Sequence, residues 1–234
     1  MALDPVRRRV LWIEVAVVLS FFVLPATWGS WMAYMDPRMP PDHEPWVYVV
    51  GRIVHYTSIV PIALFVAWGS GDGLAHFGLR RLPWWQLLSA SLAALVATII
   101  VRGHVADWLS SIAPDLRLQS LRTLRVNENP STRLSHPAIA SGLFAIGAFC
   151  EEFIMRGYLI TRLRELLGKT WVAVLISTTL FAGYHIYEGI TAPLIIFASG
   201  LVYALAFVAT RSIWPGTIAH TLSNVLTLFL RRVV

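Results

Sequence analysis

Two adjacent carboxylates and an arginine, in Glu151-Glu152-Phe153-Ile154-Met155-Arg156-Gly157, interrupt an apolar segment that begins near Pro137. Charges at such depth are costly, and they usually face a protein interior or a water-filled cavity and have a task there. Residues four apart share a helix face, so Glu152 reaches Arg156. Glu151 points about 100° away and faces elsewhere. Further along, Phe181-Ala182-Gly183-Tyr184-His185 brings one imidazole, and His220-Thr221-Leu222-Ser223-Asn224 places a second imidazole and a carboxamide on one stripe of a final helix. Each motif has an ordinary explanation as packing or hydrogen-bonded glue between helices. Jointly, carboxylates, imidazoles, a carboxamide and a guanidinium form a set that activates water and stabilises an oxyanion.

The elements that must position these groups are membrane helices. Of 234 residues, 56% are hydrophobic and 14% charged, with mean hydropathy +0.64. Soluble domains carry about 25% charged residues. A span takes about 20 mainly apolar residues. That ruler gives an all-α, polytopic transmembrane bundle of about seven spans, at 10–32, 46–69, 84–106, 137–162, 170–187, 192–210 and 213–230. The chain reads as a single integral membrane domain over 1–234, with a catalytic core at 137–230.

The apolar run after Arg7-Arg8-Arg9 outlasts a signal-peptide core and reads as an uncleaved first span. Residues 33–45 are Pro- and acid-rich turns, and residues 107–136 form either a surface helix or a loop. The formal net charge of +6 comes largely from arginines at span ends. Arg7–Arg9, Arg80-Arg81, the Arg162/Arg164/Lys169 cluster and Arg211 share one side, which the positive-inside rule makes cytoplasmic, with the N-terminus. No basic stretch interleaved with aromatics suits nucleic acid. The single cysteine, Cys150, excludes disulfide scaffolds within the chain and reads as a small buried hydrophobe.

The ordered trio, Glu151-Glu152-x-x-x-Arg156, Phe181-x-x-x-His185 and His220-x-x-x-Asn224, resembles that of the CPBP intramembrane proteases. These include the type II CAAX prenyl endopeptidases, the abortive-infection proteins and the bacteriocin-immunity proteins. The resemblance covers residues 137–230. It implies hydrolysis of a peptide bond in a membrane-associated protein or peptide. Glu151 would be the catalytic glutamate, with His185 beside it on the attacking water. His220 and Asn224 would serve the oxyanion, supported by Glu152 and Arg156. Two versions stay open: a metal-free glutamate mechanism, or a Zn2+ site with Glu151, His185 and His220 as candidate ligands. The compact chain looks like a prokaryotic, plasma-membrane member. The rival reading is a non-proteolytic membrane scaffold, or an immunity or sensor protein, that uses the same cluster for packing or partner binding.

Overall fold

The computed structural model describes residues 4–36, 50, 53–54, 61, 64–126 and 137–233, and all regular structure among them is helical. Helix α1 (Pro5–Met35) is started by Asp4, whose carboxylate accepts from the Arg7 backbone N–H at 3.2 Å, and by Pro5 in the first turn. Helix α2 (Trp84–Ile112) stops one residue short of Pro114, because the residue before proline avoids the α region. Helix α3 (Pro114–Val126) follows at once. Helix α4 (Pro137–Leu167) closes on Gly168 in the left-handed region, φ 70°. Helices α5 (Thr170–Gly183), α6 (Ala192–Thr210) and α7 (Trp214–Val233) complete the bundle.

Four of these, α1, α2, α4 and α6, are long and apolar enough to cross a bilayer. They make this an integral, multi-pass membrane protein. The expected count of about seven spans is not met among the described residues. Helix α5 has 14 residues, short of the length a span needs. Helix α7 is long enough but is diluted by Thr217, His220, Thr221, Ser223 and Asn224. The stretch 46–69 lies largely outside the described residues. The connection 107–136 divides between the end of α2 and helix α3, and its remainder, 127–136, is outside them too.

Helix α7 packs along α2 and α4, while α6 lies between α2 and α5. Large apolar side chains such as Leu88, Leu92 and Trp171 face outward. The charged side chains Glu152, Arg156 and Arg162 are sealed inside. That inversion is the pattern a lipid solvent imposes, since unpaired polarity is what must be hidden from hydrocarbon.

Near one end of the bundle, Arg162 is fully buried and binds Glu14 of α1 (3.0 Å), Asp72 of the 70–83 connection (2.8 Å) and Glu165 (2.8 Å). Arg7 also reaches Asp72 (2.6 Å) and the Ser70 carbonyl (3.2 Å). Arg162 is therefore a tie between three elements, rather than part of the interfacial basic cluster expected for it. The same connection slots between α4 and the start of α7. Gly78, at φ 84°, accepts from the Ile213 N–H at 3.1 Å, and a side chain there would strike Phe207. Gly157 of α4 leaves room for the Phe77 carbonyl.

Candidate active site

Helix α4 is 31 residues long, about 46 Å at 1.5 Å per residue, so it outruns the hydrocarbon layer of about 30 Å. Glu152 stands at its midpoint. Directly after it the helix widens into a π-helical stretch, Phe153–Ile160, every residue of which is buried. Such widenings recur at functional sites. Ser177 of α5 steadies this one by donating to the Met155 carbonyl at 2.6 Å.

Glu152 is enclosed on every side. Its Oε1 lies 3.2 Å from Arg156 Nη1 and 3.2 Å from His220 Nδ1. Its Oε2 faces Gly216 of α7, where a methyl group would come within 2.8 Å. Arg156 donates to the Gly200 carbonyl of α6 at 3.1 Å and lies over the Phe181 ring, 4.1 Å from its centroid. The Arg156–Glu152 approach is close but poorly angled, so Arg156 Nη1 and Nε and Glu152 Oε2 make no hydrogen bond. The pair is held by charge and confinement more than by directed bonds.

His220 joins the two carboxylates. While Nδ1 faces Glu152, Nε2 lies 3.8 Å from Glu151 Oε2. The ring stacks on Tyr203 of α6, with centroids 5.0 Å apart and planes inclined by 19°. Glu151 differs from its neighbour in access: its side chain keeps 16% of its surface, against 1% for Glu152. Asn224 is one turn beyond His220, part-exposed, and its side chain makes no hydrogen bond among the described residues.

His185 sits just past the end of α5, buried, with Nδ1 2.7 Å from the Phe181 carbonyl. A carbonyl only accepts, so Nδ1 carries the proton and Nε2 is left as the acceptor in the neutral ring. His185 and Glu151 are not within ion-pair distance of each other. The Phe181 ring touches both imidazoles, with centroids 4.9 Å from His185 and 5.9 Å from His220. The structure thus gathers Glu151, Glu152, Arg156 and His220 by direct contact, and links His185 to them through Phe181. Sequence reasoning named Phe181 in the His185 motif but not as an aromatic wall, and it missed Tyr203 and the pairing of His220 with Glu152. The signal for Phe181 was its place one turn before His185, while Tyr203 lies in a helix with no charged residue to draw attention.

The zinc reading is corrected. Among the described residues no three His, Cys, Asp or Glu side chains are grouped so as to hold a metal ion. His185 spends Nδ1 on a backbone carbonyl and stands apart from Glu151, while the two nitrogens of His220 face two different carboxylates. Cys150, next to Glu151 and the chain's single cysteine, is buried.

Residues 134–226 match the family described as type II CAAX prenyl endopeptidase Rce1-like. Over that part the chain is homologous to the family. The match is less than half of the chain. It contains the whole ordered trio and leaves α1, α2 and α3 outside. Neither a curated protein nor a solved structure matches the chain. Homology to a protease family and a buried, charged Glu/His cluster together support a catalytic-site-like arrangement and enzymatic potential.

Proposed function

We propose that this protein is an intramembrane endopeptidase that hydrolyses a peptide bond in a membrane-associated protein or peptide, with residues 137–230 as its catalytic core. The observation that carries the reading is the unequal treatment of two adjacent carboxylates. Glu152 is sealed and pinned between Arg156 and His220, whereas Glu151 keeps access to the site.

In this mechanism a water lies between Glu151 and His185, donating one proton toward the carboxylate and the other toward the free Nε2 lone pair. Glu151 removes the first proton as the water oxygen bonds to the scissile carbon. The carbonyl π bond opens onto oxygen, giving a tetrahedral oxyanion. Asn224 donates to that oxyanion through its amide, and His220 does so through Nε2 when the ring carries both protons. The proton held by Glu151 then passes to the leaving nitrogen as the C–N bond breaks, which frees an amine and a carboxylic acid. Glu152 and Arg156 do not touch substrate. Glu152 orients His220, and Arg156 balances Glu152. General acid–base assistance of this kind contributes about 10²–10⁴ in rate, and an oxyanion donor about 10²–10³. The basic side bearing Arg7–Arg9 faces the cytoplasm of a prokaryotic plasma membrane in this reading.

The test uses the full chain in proteoliposomes with a membrane-protein extract, scored for new peptide termini by mass spectrometry. The native protein generates termini that the Glu151→Gln variant does not. Identical termini from both forms would remove Glu151 as the base. A biological effect that persists in the variant without any new termini would favour the scaffold or immunity role.

A further inference from the structure

Helices α2 and α3 and the start of α6 enclose a cavity of about 350 Å³. Arg102 of α2, Arg117 of α3 and Glu188 line it, and Ala106, Leu121 and Ile195 supply apolar wall. Neither guanidinium has a carboxylate within ion-pair distance among the described residues. Burial and then the charge of Arg102 hold the Arg117 pKa below its ordinary value, so the two cations feel one another. Two part-buried arginines that line one cavity without an ion pair are costly, and that cost falls when an anion sits between them.

Depth identifies the kind of anion. The apolar run of α2 ends at Val101, and Arg102, His104 and Asp107 follow in its last turns. Helix α3 is too short and polar to span, and it exposes Leu116, Leu118 and Leu121. A helix of that pattern lies along the headgroup boundary with its apolar face in lipid. The cavity therefore opens where phosphates of the bilayer are concentrated, and its apolar wall continues toward the acyl region.

We propose that this cavity binds the phosphodiester of a membrane phospholipid whose headgroup carries hydrogen-bond donors. Two arginines and one glutamate leave a net charge of +1, which a phosphodiester neutralises. The planar guanidinium fork suits its two unesterified oxygens. Glu188 accepts from the hydroxyl or ammonium groups of a glycerol or ethanolamine headgroup. Arg102 also donates to Ser223 of α7 at 3.2 Å, three residues beyond His220, so the bound lipid braces the helix that carries His220 and Asn224. This site stands apart from the hydrolytic reading and does not depend on it.

The experiment is native mass spectrometry of the full-length protein in detergent, with equal amounts of phosphatidylglycerol, phosphatidylethanolamine and phosphatidylcholine. The native protein retains one phosphatidylglycerol or phosphatidylethanolamine in preference to phosphatidylcholine, which lacks headgroup donors. Arg117→Gln lowers that retention about tenfold, as expected for the loss of about one charged contact. Ala106→Phe, which fills the apolar wall while keeping both arginines, does the same and serves if the first variant fails to fold. Equal retention of all three lipids, or retention unchanged in either folded variant, overturns the proposal. Displacement of the lipid by millimolar inorganic phosphate would also overturn it, since the site would then be one for free phosphate.

Discussion

Arg156 and Arg162 lie on the same helix, and neither exposes any side-chain surface. Their surroundings differ in kind. Arg162 meets three carboxylates, from Glu14, Asp72 and Glu165, whose own side chains keep 12%, 27% and 21% of their surface. Arg156 meets one carboxylate, Glu152, sealed to 1%, then a backbone carbonyl and two aromatic faces. The first is a joint at the edge of the bundle, rich in negative charge and open to water. The second is a confined charge pair in the middle, with a histidine coupled to it. Confinement, rather than the number of ion pairs, separates the site from the scaffold.

The widest separation between the two regions should come from Glu151. Glu151→Gln is expected to cut cleavage by about 10²–10⁴ while leaving the thermal unfolding midpoint in detergent unchanged. A lowered midpoint would make Glu151 part of the scaffold instead. Next comes Arg156→Ala, which strands Glu152 in a sealed site. Breaking a buried pair costs about 3–5 kcal/mol, so yield and activity should fall together in side-by-side expression and turnover assays. Arg162→Ala should cost less, about 1.5–3 kcal/mol as for charged hydrogen bonds, because water can reach its three acids. Cleavage per folded molecule should survive that change, and its loss would merge the two regions into one. Gly216→Ala pushes a methyl group toward Glu152 Oε2. Overpacking of this sort costs about 1–3 kcal/mol, and it should impair turnover more than the unfolding midpoint.

The smallest effect concerns acidity. Burial pushes the Asp72 carboxyl up, but Arg162 and then Arg7 outweigh it, and its pKa lies below the ordinary value. A folded pKa below the unfolded one gives stabilisation that is complete above the unfolded value, about 3.9, and is lost as pH falls through the folded value. The Arg162 joint should therefore loosen only in strong acid. Asp72→Asn should flatten that part of a melting-temperature-versus-pH curve, and an unchanged curve would show that the joint does not depend on Asp72.

Much of this was readable from residue types alone. Length and hydropathy announce the long apolar helices α1, α2, α4 and α6, because crossing hydrocarbon demands uninterrupted apolar stretches. The same ruler overcounts where a helix is covered by its neighbours. Helix α5 is short because the bundle, not lipid, surrounds much of it, and α7 can carry His220, Ser223 and Asn224 because α2 and α4 shield it. The acidic pair, Arg156 and the two imidazoles stood out because each breaks an apolar pattern. Partnership was harder to read. Nothing local says that His220 faces Glu152, or that Arg162, beside Arg164 and Lys169, turns inward to Glu14. The lone acid in α1 and the Arg162–Glu165 spacing were the available hints, and both needed the third dimension to become a contact.

The π-helical stretch Phe153–Ile160 lies between Glu152 and Arg162, so its winding sets the rotational phase of one charge group relative to the other. Excising a single residue there would swing everything downstream by about 100°. Arg162, together with Glu165 on the same helix, would be carried off Glu14 and Asp72 while Glu152 stayed in place. Register errors in this segment are thus coupled failures, in which docking of α1 and alignment of the central charges cannot be edited independently.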